Sequence, residues 1–280
     1  MKRLTVGIST CPNDTFAFHA LLAGEVRAEG IELDFVLLDV EELNERLAAG
    51  ELDAAKVSFH AALSLSDDVV VLPSGSALGF GVGPLLLAAP GGAAPGPAAR
   101  VLGPGRFTTA ALLWRLFHEG EGRLEHTVFS AIFPALQAGR ADLGLCIHEG
   151  RFTWREAGLS FVEDLGATWE QATGAALPLG GIVARRRLGN ETAWRLQDAI
   201  RASLEWGLAR RDACLPTMRA HAQELSDDVL FQHVDLYVNA RTLDLGAEGR
   251  AALDALSQAA RARGLVAPGG ALRILGQGEP

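Results

Sequence analysis

Leu4-Thr5-Val6-Gly7-Ile8-Ser9-Thr10-Cys11-Pro12-Asn13-Asp14-Thr15-Phe16-Ala17-Phe18 passes from an apolar run, through a polar turn, into a segment with helical spacing. Asn and Asp are common helix caps, and Asn13 and Asp14 stand where a cap belongs. The spacing therefore predicts a strand over Leu4–Ser9 that feeds into a helix from about Thr15 to Ala23. The alternation repeats downstream with a strand over Ile31–Leu38, a helix near Glu41–Ala49 and a strand near Ala54–Ser58. Such alternation is the pattern of an α/β sheet with crossover helices. In these sheets ligands sit beyond the carboxyl ends of the strands, where Ser9–Thr15 would lie.

Ala89–Pro97 is too rich in glycine and proline for a regular element, so a crossing into a second lobe is expected there. A second α/β set follows: strands at Arg100–Leu102, Leu124–Phe129 and Leu143–Ile147, with helices at Thr109–His118 and Phe133–Ala138. Leu177–Arg185 reads as a turn and a strand that crosses back, and Asn190–Arg263 is helical in pattern. These readings give an α/β, periplasmic-binding-protein-like (class II) fold of two α/β lobes with a ligand cleft between them. The large lobe is expected to be discontinuous, 1–89 and 178–280 with the C-terminal helices, and the small lobe to be 90–177.

The chain has 280 residues, enough for two lobes with their own cores. A net charge of -9 argues against a nucleic-acid partner, which would call for a basic surface. No apolar run reaches the roughly 18 residues of a membrane span. The N-terminus lacks a signal-peptide pattern, so a cytoplasmic location is expected, as a monomer or homodimer that takes a small molecule. Cys11, Cys146 and Cys214 are odd in number and widely spaced, which suits neither a disulfide framework nor a metal pair.

Lys56 and Ser58 share a face of their strand by its two-residue period, so a carboxylate could meet an ammonium and a hydroxyl there. A surface lysine and a buried serine explain the spacing equally well. Thr108 or Thr109 caps the next helix, whose free amides would suit a carboxylate. His148 follows the apolar strand Leu143–Ile147, where imidazole could serve as a base near neutrality. A structural histidine is the simpler reading of any lone imidazole. Cys11 could be a nucleophile, since helix N-termini lower thiol pKa, but no histidine is near it in sequence. Cys146 is read as packing, and His60 needs no role. Glu41-Glu42 reads as a solvated face. His221 and His233 lie in the helical tail without a second ligand four residues on, which disfavours a metal. Gly79–Pro84 lacks a strand–turn–helix setting for a nucleotide and suits close backbone approach or an inter-lobe segment.

Taken together, the blocks S-T-C-P-N-D-T-F from Ser9, K-V-S from Lys56, G-F-G-V-G-P from Gly79, F-T-T-A from Phe107, I-H-E-G-R-F-T from Ile147 and A-H-A-Q-E-L-S-D from Ala220 resemble the 1,4-dihydroxy-6-naphthoate synthase family of the futalosine route to menaquinone. The resemblance implies a cofactor-free and metal-free lyase. It would convert cyclic de-hypoxanthine futalosine to 1,4-dihydroxy-6-naphthoate by proton abstraction and carbon–carbon cleavage. It further implies His148 as proton acceptor, and Lys56, Val57, Ser58, Thr108 and Thr109 as substrate contacts from the two lobes, with Asn44 lining the cleft. Glu149 and Arg151 lie close enough in sequence to His148 for either to partner the base or a substrate carboxylate, and the sequence does not rank them. A small-carboxylate binding protein and chorismate dehydratase are the alternatives on the same fold.

Overall fold

A computed structural model describes residues 1–92, 94–222 and 226–277. The chain opens with β1 (Lys2–Ser9), α1 (Pro12–Ala17), α2 (His19–Leu22), β2 (Ile31–Leu38), α3 (Val40–Ala48), β3 (Ala54–Ser58), α4 (Phe59–Ser64), β4 (Val69–Val71) and β5 (Ala77–Gly79). It continues with β6 (Leu85–Ala88), β7 (Arg100–Gly103), α5 (Thr109–Phe117), β8 (Arg123–His126), α6 (Ile132–Gln137), β9 (Leu143–Cys146), α7 (Gly150–Thr153), β10 (Ser160–Asp164) and α8 (Leu165–Thr173). β11 (Leu177–Arg185) leads into α9 (Asn190–Ala209), α10 (Leu215–His221), α11 (Asp227–Tyr237), α12 (Ala240–Leu243) and α13 (Gly246–Ala262).

Two sheets result, ordered β2-β1-β3-β11-β4 with β5 on β11, and β10-β6-β9-β7-β8. β3 lies between β1 and β11 with all five residues buried, which is why it reads as a continuous Ala-Ala-Lys-Val-Ser run instead of an alternating one. β1 runs parallel to both β2 and β3, so Ser9 and Ser58 end at the same edge of the first sheet. β7 is parallel to β9 in the second sheet, so the chain leaves Gly103 and Cys146 on one edge as well. The carboxyl ends of four strands thereby supply the segments that meet in the cleft.

β6 pairs with β9 and β10, so the chain changes sheet between Gly79 and Leu85, earlier than the expected division at 89/90. The glycine- and proline-rich stretch after Ala88 is instead a loop within the second lobe's chain, between β6 and β7. The chain returns to the first sheet between Asp164 and Leu177. Gly83 explains the earlier crossing: a Cβ there would lie 2.2 Å from the Cα of Gly166, so two backbones touch where the chain changes lobes.

The expected helix from Thr15 to Ala23 is two short helices that break at Phe18, and it starts earlier. Cys11 is the N-cap and Pro12 occupies the first turn, where its missing N–H costs nothing. Asn13 and Asp14 are therefore inside the helix, buried, and not its caps. The strand expected to reach Phe129 stops at His126 and gives way to a 3-10 turn over Phe129–Ala131. Phe16 packs with Cys214, Met218, Leu230 and Val234, which locks α10 and α11 onto α1. That contact brings the C-terminal helices to the mouth of the first strand. Among the described residues no helix is long and apolar enough to cross a membrane.

Candidate active site

The cleft contains a cavity whose walls include Ser9, Asp14, Lys56, Val57 and Ser58 from the first lobe, Thr108, Thr109 and His148 from the second, and His233 and Tyr237 from α11. The structure thus gathers Lys56, Val57, Ser58, Thr108, Thr109 and His148 around one space. Asn44 is not in the wall but directly behind it. Its Oδ1 accepts from Ser58 N–H at 3.0 Å and its Nδ2 approaches Ser58 Oγ at 3.4 Å, so it orients the serine.

Lys56 is 6% exposed, and its Nζ donates to Asp14 Oδ1 at 2.5 Å and to the Gly75 carbonyl at 3.0 Å. Ser9 Oγ donates to Asp14 Oδ2 at 2.6 Å and Asn13 Nδ2 to Oδ1 at 2.8 Å. A buried ion pair is tolerated only when its remaining lone pairs and protons are also satisfied, which these bonds accomplish. The ammonium expected to meet a substrate carboxylate is already neutralised by Asp14. The surface-lysine reading of Lys56 and the capping reading of Asp14 both give way to this pair.

Thr108 caps α5: its Oγ1 accepts from Ala111 N–H at 3.2 Å and donates to the Gly105 carbonyl at 3.0 Å. Thr109 Oγ1 donates to the Leu179 carbonyl at 2.6 Å, tying the helix start to β11. Both hydroxyls are committed. The anion-binding capacity of this wall therefore belongs to the first-turn amides of α5 other than that of Ala111, which Thr108 already takes. Glu41, from α3, accepts Phe107 N–H at 2.9 Å and Asn44 Nδ2 at 2.9 Å. It is a link between lobes and not the solvated residue its sequence suggested; burial raises its pKa.

His148 lies just past β9, and it is the only non-glycine residue with positive φ among those described, at 54°. That conformation costs about 1–2 kcal/mol for a residue bearing a Cβ and tends to persist where function demands it. The imidazole meets Phe129 edge-on at 5.2 Å, lies 6.3 Å from the His233 ring, and places Nδ1 3.1 Å from Cys11 Sγ. The histidine absent from the sequence around Cys11 is thus supplied from the other lobe. Desolvation, then the charges of Glu149 and Asp14, push the thiol well above its ordinary pKa, which favours the protonated thiol over a thiolate nucleophile. Arg151 donates from Nη1 to the Gly83 carbonyl and from Nη2 to Asp164 at 2.8 Å, and so braces the crossing segment. Glu149 stands at the start of α7, beside Cys11.

His60 donates Nδ1–H to the Thr108 carbonyl at 3.1 Å, and burial lowers its pKa to about 4, so it is a neutral structural histidine. Cys146 is buried with its pKa raised, in keeping with packing. His233 and Tyr237 are site residues that sequence reasoning missed. Their signal was the buried face Leu230, His233, Val234 and Tyr237, spaced by three and four residues along one helix. The block from Ala220 to Asp227 includes residues 223–225, which lie outside the described residues.

A family model described as "Menaquinone biosynthesis" matches residues 4–262. The 1,4-dihydroxy-6-naphthoate synthase of Thermus thermophilus is 47% identical over 96% of this chain and 97% of its own. That of Streptomyces coelicolor is 42% identical over 94% of each. A crystal structure of an Archaeoglobus fulgidus protein superposes with a TM-score of 0.89 at 30% identity, covering 94% of this chain and 98% of that one. An alkanesulfonate-binding protein from Xanthomonas axonopodis, at 15% identity and a TM-score of 0.73 over 98% of this chain and 96% of its own, shares the fold. With the fold that of the periplasmic binding proteins and the sequence matched along nearly its whole length, the chain belongs to the 1,4-dihydroxy-6-naphthoate synthase family of menaquinone-biosynthesis enzymes.

Proposed function

We propose that this protein is a lyase that releases 1,4-dihydroxy-6-naphthoate from cyclic de-hypoxanthine futalosine with His148 as general base, using no cofactor or metal. The observation that carries the reading is the strained His148 backbone, which holds an imidazole at the junction of both lobes beside the cavity. The substrate carboxylate would lie on the first-turn amides of α5, opposite the Ser58 hydroxyl that Asn44 orients. His148 would take a proton, the freed electron pair would form a new π bond in the sugar-derived fragment as the carbon–carbon bond breaks and that fragment leaves, and the pair from the broken bond would enter the ring system, whose aromatisation makes the step downhill. A positioned base supplies roughly 10²–10⁴-fold, and two lobes shut over the substrate add orientation and exclusion of water. Lys56 would act as a fixed buried charge and not as a carboxylate clamp, since Asp14 already holds it. Three free thiols favour a reducing, cytoplasmic setting.

The test is incubation of the metal-stripped protein with cyclic de-hypoxanthine futalosine, followed by mass spectrometry beside the His148→Ala variant. Wild type should form the naphthoate, and the variant should bind substrate yet turn over at least about 100-fold more slowly. Undiminished turnover by the variant would remove His148 as base.

A further inference from the structure

We infer that His233 is a second imidazole of the site, a neutral ring whose bare Nδ1 accepts a hydrogen bond from a ligand hydroxyl next to His148. The inference rests on the reaction proposed above for the identity of the ligand, but its structural basis is separate. His233 is 1% exposed, borders the cavity, and its Nδ1 has no hydrogen-bond partner among the described residues. Its other nitrogen, Nε2, lies 3.0 Å from Asn13 Oδ1.

A chain of bonds fixes which nitrogen carries the proton. The Asp14 carboxylate only accepts, so Asn13 must turn its Nδ2 toward Asp14 Oδ1, which leaves Asn13 Oδ1 as an acceptor facing His233. Nε2 is therefore the protonated nitrogen and Nδ1 holds a lone pair. Lys56 anchors the far end of the chain through Asp14. Protonating Nδ1 is disfavoured by desolvation, by His148 and by the Lys56 ammonium, all of which lower the pKa well below its ordinary value. A buried acceptor without a donor is costly, and a ligand hydroxyl donating to it would recover that cost on binding. The two ring centroids are 6.3 Å apart and both rings border the same cavity, so one ligand could reach Nδ1 and the proposed base together. Sequence gives this arrangement no warning, because Asn13 and His233 are 220 residues apart.

Two substitutions separate the nitrogens. His233→Asn puts an amide oxygen near the position of Nδ1, and His233→Gln puts an amide N–H near that of Nε2. The Gln variant should lose about 10- to 100-fold in kcat/KM, and the Asn variant should keep most of it. If Gln performs as well as or better than Asn, His233 serves only to hold Asn13 and the inference fails. NMR of wild type with ring-¹⁵N-labelled histidine gives a second readout that needs no variant to fold. Nδ1 should be unprotonated and non-titrating from pH 6 to 8, and should shift upfield when 1,4-dihydroxy-6-naphthoate is added. An Nδ1 signal unmoved by saturating product would overturn the inference. Wild-type turnover is measured alongside: its absence counts against the proposed reaction, whereas the product-induced shift reports on His233 alone.

Discussion

Cys11 and His148 show how little a residue's neighbours in sequence say about its chemistry. A thiol 3.1 Å from an imidazole is the arrangement of a cysteine nucleophile, yet burial and the carboxylates of Glu149 and Asp14 favour the neutral thiol. Iodoacetamide should therefore label Cys11 at pH 7.5 no faster than free cysteine, with labelling read by peptide mass spectrometry. Rapid labelling with an inflection below pH 8 would show a thiolate–imidazolium pair instead. Asp14 carries the same lesson. Its position just before Thr15-Phe16-Ala17-Phe18 suggested a cap, but within α1 its carboxylate turns inward to take Lys56, Ser9 and Asn13.

At the scale of elements, α5 is where sequence and structure agree most closely, because its start signal is local. Thr108 or Thr109, before the apolar-periodic Ala110–Phe117, reads as the N-cap, and it is Thr108 whose Oγ1 accepts Ala111 N–H. Thr108→Ala should lower stability by about 1 kcal/mol in urea unfolding, with Thr108→Ser restoring most of the loss. A loss absent in Ala, or equal in Ser, would show that the cap contributes nothing. The break of α1 from α2 at Phe18 was not legible, because Phe18 is fully buried and forms an edge contact with Phe35 on β2. Packing against a strand 17 residues away, and not local propensity, sets that boundary.

Over the whole molecule, the cleft is closed by bonds between lobes, among them Glu41 to Phe107 and His60 to Thr108. The burial of His60 makes folding sensitive to acid. Desolvation lowers its pKa from about 6.5 in the unfolded chain to about 4, against the opposing pull of its bond to the Thr108 carbonyl, so the unfolded chain binds the extra proton between those values. Its contribution is fully present above about pH 6.5 and is lost as pH falls toward 4, amounting to about 3 kcal/mol at most. Urea midpoints at pH 7 and pH 5 should differ by more in wild type than in His60→Gln; equal differences would assign the acid sensitivity to other groups. Hydrophobic periodicity, capping residues and turn composition by themselves determined the α/β alternation, most strand limits and the segments that reach the cleft, since each depends on contacts within a few residues. Only the tertiary structure decided that β6 joins the second sheet, that Asp14 neutralises Lys56, that Cys11 meets His148, and that α11 brings His233 to Asn13. Those pairings join residues 42 to 220 positions apart, and they arise from how apolar faces dock, which no local pattern of polar residues encodes.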